Sequence, residues 1–106
     1  MSLFEPGKLT QTYGIADRSE RDASFGQFVQ ESLTQHFSGD WGIVDKGDAT
    51  ANDLTVGWPS PEGDDAERIL SAYIYKDAAN HDRKTKIWII TEADRSVTTV
   101  LFPEEY

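Results

Sequence analysis

The chain has no cysteine. Disulfides, thiolate nucleophiles and cysteine-ligated zinc or iron–sulfur centres are therefore excluded, and nothing asks for an oxidising compartment. Basic residues are scarce: ten lysines and arginines stand against 19 aspartates and glutamates, a net charge of −9. Phosphate contact needs clustered Lys and Arg, so this balance speaks against direct binding of DNA or RNA. No apolar run approaches the ~20 residues needed to cross a bilayer, and Met1-Ser-Leu-Phe-Glu-Pro6 has no basic stretch leading into an apolar one. A cytoplasmic protein without membrane contact is the expectation. The serine-nucleophile pattern G-x-S-x-G is missing, as are the phosphate-cradling patterns G-x-G-x-x-G and G-K-[ST]. The expectation is a non-enzymatic protein without a cofactor.

Aromatic residues, by contrast, are well supplied. Three Trp, four Tyr and five Phe offer large areas to bury, which argues for a folded chain despite the charge. A length of 106 residues fits one hydrophobic core, so residues 1–106 are read as a single domain.

The hydrophobic period changes along that domain. Lys8–Tyr13 alternates and reads as a short edge strand ended by Gly14, and the polar stretch Asp17–Asp22 reads as a helical turn. From Ala23 to Phe37, Phe25, Phe28, Val29, Leu33 and Phe37 form one helical stripe; Asp22 is placed to cap the first turn, and Ser38-Gly39 to end the helix. Ile43–Thr55 suggests a short, polar helix weakened by Gly47, and Gly57–Asp65 a loop. Beyond Glu67 the period becomes two. Ile69–Tyr75, Lys86–Thr91 and Val97–Phe102 read as strands of an antiparallel meander, with Pro103 ending the last. The pattern predicts an α+β fold in which N-terminal helices pack on a three- to four-stranded antiparallel sheet.

The negative charge is concentrated. Between Glu31 and Glu67 stand nine acidic residues against the single base Lys46, a net −8 across 37 residues. Such a block either solubilises a loop region or forms a surface that repels nucleic acid and attracts basic proteins. The candidate partner-binding residues are Asp40, Asp45, Asp48, Asp53, Trp58, Glu62, Asp64, Asp65 and Glu67. Trp41, beside the helix stop, is assigned to the core, and Trp58, before Pro59, to the interface. Asp45, Asp48 and Asp53 lack the alternating oxygen ligands, glycine and distal glutamate of a calcium loop, so they read as a solvated face rather than a metal site. His36, at a helix end where an imidazolium would favourably meet the helix dipole, and His81, in a polar loop between Asn80 and Asp82, are both expected to be structural or merely solvated. Glu92, Asp94 and Arg95 are expected to close a hairpin through local bonds, the alternative being a recognition point formed by Arg95 and the acids.

Two stretches carry a resemblance. Gly39-Asp-Trp-Gly42 with Asp45, Asp48 and Asn52-Asp53, and the longer Lys86–Tyr106 segment KIWIITEADRSVTTVLFPEEY, resemble a family of small "plasmid-related" proteins of bacterial plasmids and integrative elements. Leu54–Asp65 and Lys76–Lys84 depart from that pattern as insertions. The resemblance implies a mobile-element context, in which small acidic proteins often act as anti-restriction or anti-CRISPR inhibitors. The leading expectation is a nucleic-acid mimic whose Asp40–Glu67 surface occupies the basic nucleic-acid site of a host defence protein. The alternative is an interaction module of plasmid maintenance or transfer, using a sheet face that bears Tyr73, Tyr75 and Trp88.

Overall fold

A computed structural model describes residues 7–43, 68–76, 84–92 and 95–106. Strand β1 (Lys8–Gln11) leads into helix α1 (Tyr13–Arg21) and helix α2 (Ala23–Phe37). Strands β2 (Ile69–Lys76), β3 (Lys84–Thr91) and β4 (Val97–Leu101) follow, and a 3-10 turn (Pro103–Glu105) comes last. Both helices pack on one face of a four-stranded sheet of order β1-β4-β3-β2, the expected α+β arrangement. The meander is antiparallel throughout, but β1 pairs with β4 in parallel, so the sheet is mixed. A strand that reaches its neighbour through two helices, rather than a tight turn, is free to run parallel to it.

Asp22 separates the two helices and serves both. Its extended backbone ends α1, and its Oδ1 accepts from the amides of Ser24 and Phe25 at 3.1 and 3.2 Å, satisfying orphan donors of α2. Oδ2 of Asp22 meets the Arg18 guanidinium at 3.5 Å, and that guanidinium lies 5.0 Å above the Phe25 ring. One residue thus sets the angle between the helices.

The start of α1 is held differently. Thr12, its N-cap, makes no side-chain cap; its hydroxyl instead donates to Glu105 Oε1 at 2.5 Å, and Glu105 Oε2 accepts from the Gly14 amide at 3.1 Å. A carboxylate 91 residues further on therefore does what a local cap normally does. Burial opposes ionisation of Glu105, but hydrogen bonds from Thr12 and from the amides of Phe102 and Gly14 outweigh it and hold the carboxyl below its ordinary range.

The core lies between the helices and the sheet. Ile15 of α1, Phe25 and Val29 of α2, Tyr73 and Tyr75 of β2, Ile87 and Ile89 of β3 and Val100 of β4 form it, with Phe28, Leu33 and Phe102 against its rim. Phe25 and Tyr75 meet edge to face at 5.3 Å, and Phe28 and Phe102 lie 5.9 and 6.0 Å from Phe25. The stripe read from the sequence is the buried face of α2.

Replacing Asp22 with alanine removes a cap that two amides share. Denaturant unfolding of Asp22→Ala is expected to show a loss of about 1 kcal/mol; wild-type stability would mean that the bonds at 3.1 and 3.2 Å contribute nothing.

Candidate functional site

The sheet's two faces follow from register. Odd-numbered residues of β2 and β3 face the helices, as do Thr98 and Val100 of β4 and Leu9 and Gln11 of β1. Tyr73 and Tyr75 are therefore core residues, 4% and 9% exposed. Trp88 pairs with Ala72 and Leu101 on the opposite face. The aromatic face expected to join Tyr73, Tyr75 and Trp88 does not exist: strand alternation puts the tyrosines and the tryptophan on opposite sides.

Under α2 lies a polar cluster. His36, fully buried, places Nδ1 against Ser71 Oγ of β2 and Nε2 at 2.9 Å from Thr91 Oγ1 of β3; Thr91 in turn lies 2.7 Å from Thr98 Oγ1 of β4. Trp41 and Phe37 meet the imidazole edge to face at 5.8 and 5.5 Å. Burial lowers the His36 pKa from 6.5 to about 3. Of the two readings of His36, structural or merely solvated, the structural one holds: it is a neutral core histidine. With histidine and hydroxyls all at 0% exposure, the cluster joins helix to sheet. Ser32 and His36 continue the spacing of Phe25 and Val29 on the buried face, a signal obscured because both are polar.

After α2 the chain turns back to the sheet. Asp40 accepts from Gln35 Nε2 at 2.9 Å and from the Gly42 amide at 3.2 Å, while its carbonyl accepts from the Tyr73 hydroxyl at 2.6 Å. Burial raises the Tyr73 pKa and keeps the phenol a donor. The Ile43 amide donates to Ala72 O at 2.8 Å and the Ala72 amide to Trp41 O at 3.2 Å, a parallel bridge on the outer edge of β2. Gly42 sits there with φ +71°, and a Cβ on it would stand 1.9 Å from Ala72 O. Trp41 is 5% exposed, the core residue expected.

Of the nine expected partner-binding residues, Asp40 alone lies among the described residues, and both of its carboxylate oxygens are engaged in this turn. Asp45, Asp48, Asp53, Trp58, Glu62, Asp64, Asp65 and Glu67 lie outside the described residues, as do His81, Asp94, the expected Ile43–Thr55 helix except for Ile43 itself, and the Gly57–Asp65 loop. The described anchors on either side are Ile43, bonded to Ala72, and Arg68, which leads into Ile69. Between them, 44–67 holds seven acids and one base. Among the described residues no group of three or more His, Asp or Glu is placed to hold a metal, and no helix is long and apolar enough to cross a membrane. Arg95, with φ 61°, donates from its amide and Nη1 to Glu92 O at 2.9 and 3.1 Å, the local hairpin closure expected of it.

The face away from the helices has a buried floor of Ala72, Ile90 and Leu101, with Leu70, Trp88 and Val97 half-buried and Ile74 38% exposed. Tyr106 lies edge-on to Trp88 at 5.8 Å, and the Arg68 guanidinium sits 5.2 Å above the Tyr106 ring and donates to its hydroxyl. No family model, curated protein or solved structure matches the chain.

Two outcomes follow. Protons bind the unfolded imidazole first, so the stability due to neutral His36 is intact above about pH 6.5 and falls as pH drops toward about 3. It declines by about 2 kcal/mol between pH 7 and 5, and the His36 ring resonances should stay those of neutral imidazole at pH 5; an imidazolium signal from the folded protein there refutes the assignment. Gly42→Ala should cost roughly 1–3 kcal/mol through strain and the clash with Ala72 O, read as a lower midpoint in urea.

Proposed function

We propose that the protein is a non-enzymatic acidic inhibitor that binds the basic, nucleic-acid-binding surface of a host defence protein. The observation that carries this reading is the concentration of charge: seven acids and one base between Ile43 and Arg68. Ile43 is fixed to the outer edge of β2, and Arg68 enters the same strand. Anchoring both ends on one strand restricts where the carboxylates can reach and lowers the entropy lost when they meet a partner. Carboxylates spaced along a chain substitute for phosphates in a basic channel, and their field speeds encounter with a positive surface.

Asp40 contributes to this site as a fixed anchor of the turn rather than as a contact. The binding group is then Asp45, Asp48, Asp53, Glu62, Asp64, Asp65 and Glu67, with Trp58 as an apolar point among them. The mobile-element setting, and with it the anti-restriction or anti-CRISPR role, draws on the resemblance of Gly39–Gly42 and Lys86–Tyr106.

Reversal of Asp45, Asp48, Asp64 and Asp65 to lysine tests the reading. Capture of nucleic-acid-binding proteins from a bacterial lysate should fall at least about tenfold, and wild-type capture should weaken steeply between low and moderate salt. Equal capture by the reversed variant overturns it.

A further inference from the structure

The sheet ends on β1, and no described strand lies beyond it. The amides of Lys8 and Thr12 donate to Ser96 O and Val100 O of the β4 side at 3.0 Å, and the parallel register carries the same pattern through Thr10. Even-numbered residues of β1 thus bond to β4, while the amides and carbonyls of Leu9 and Gln11 point outward. An edge of this kind offers its backbone groups to another strand.

Beside the edge a groove of about 250 Å³ runs between β1 and α2. Seven residues line it, Leu9, Gln11, Val29, Gln30 and Leu33 among them, and none is charged. Leu9 and Tyr13 are 54% and 74% exposed there, and Lys8 is the one charged residue of β1. Two chains that each carry a net charge of −9 repel one another, and an approach along this edge opposes them least.

We propose that β1 pairs with β1 of a second copy about a two-fold axis, joining two four-stranded sheets into one of eight strands. An axis normal to the sheet makes the two strands antiparallel. Since outward bonds come only from odd-numbered residues, three registers are open. Leu9 opposite Leu9 brings in Gly7, whose φ of +65° takes it out of the strand, and Gln11 opposite Gln11 brings in Tyr13, already part of α1. Leu9 opposite Gln11 uses both residues of each copy in four hydrogen bonds, with Thr10 facing Thr10 on the axis.

That register also matches charge. It sets Lys8 of one copy opposite Thr12 of the other, and the Thr12 hydroxyl donates to Glu105 Oε1 at 2.5 Å. Opposed side chains start about 5 Å apart, so each exposed Lys8 ammonium reaches the exposed Glu105 carboxylate of the other copy, and symmetry makes this pair twice. An unrelated strand can meet the same backbone groups, but a second copy supplies Lys8 and Glu105 in reciprocal places. β2, which carries the anchors of the acidic segment, is the opposite edge of the sheet, so the pairing does not depend on the inhibitor reading.

A strand of four residues buries less than the ~1,200 Å² at which standard interfaces begin, so the dimer is weak. Sedimentation equilibrium of the full chain between about 10 μM and 1 mM should show monomer and dimer and no larger species. Amide exchange at Leu9 and Gln11 should slow as concentration rises, and exchange at Ile74 of β2 should not. Gln11→Pro removes an outward amide and no bond to β4, so its circular dichroism should match wild type while the dimer disappears from that range. Lys8→Glu should weaken the dimer about tenfold or more, because it sets like charges together twice. If Gln11→Pro does not fold, Lys8→Glu and the exchange at Leu9 decide. A monomer throughout the range, open-ended assembly, exchange at Leu9 that ignores concentration, or a dimer that either folded variant leaves unweakened overturns the proposal.

Discussion

The imidazole of His36 is the point at which the layers are joined. It comes from the last turn of α2 and meets hydroxyls of β2 and β3, with β4 one hydroxyl further on. A buried polar group without a partner costs on the order of 1–3 kcal/mol, so the position of α2 over the sheet is fixed by a chain of donors and acceptors as well as by apolar contact. A neutral imidazole offers one donor and one acceptor, and each hydroxyl must turn to match. The aromatic contacts of Phe25, Phe28, Tyr75 and Phe102 fill the other end of the same interface. Apolar packing holds one end and hydrogen bonding the other.

With the helices fixed on one face, alternation decides everything on the other. Tyr73 and Tyr75 go inward, and Ile74, Lys76, Lys86 and Trp88 go outward. The charge of the chain is thereby sorted by layer: acids on the helices and in the segment between α2 and β2, bases on the sheet. Net charge alone describes neither surface.

Much of this was legible beforehand, for physical reasons. The α2 stripe, its Asp22 cap and its Ser38-Gly39 stop are local signals, and the three meander strands show a clean period of two. The parallel pairing of β1 was not legible, because four residues carry too little pattern to specify a partner nearly the whole chain away. Ser32 and His36 were hidden for a different reason. Their spacing was right for burial, but their polarity reads as exposed: His36 is satisfied by the hydroxyls of Ser71 and Thr91, far away in sequence, and Ser32 Oγ is buried without a hydrogen-bond partner among the described residues. Glu105 gave no signal at all as the cap of α1, since capping is normally sought within three residues. The face away from the helices was visible as alternating residues, but grouping Trp88 with Tyr73 and Tyr75 required ignoring which residues stand opposite one another. Of the candidate site, only Asp40 is described, and it proved to be engaged in the turn.

The Glu105 clasp also bears on the order of assembly. Thr12 and Glu105 are 93 residues apart, whereas β3 and β4 are joined by a turn of a few residues and β2 lies next to them in sequence. Closing a long loop costs more conformational entropy than closing a short one, and contacts of large sequence separation slow folding. The hairpins of the meander are therefore the cheaper first contacts, and β1 gains its parallel neighbour only once β4 is in place to receive it. Glu105 then ties down the N-terminus of α1 at the same junction, so the first turn of that helix is completed by a residue that follows β4.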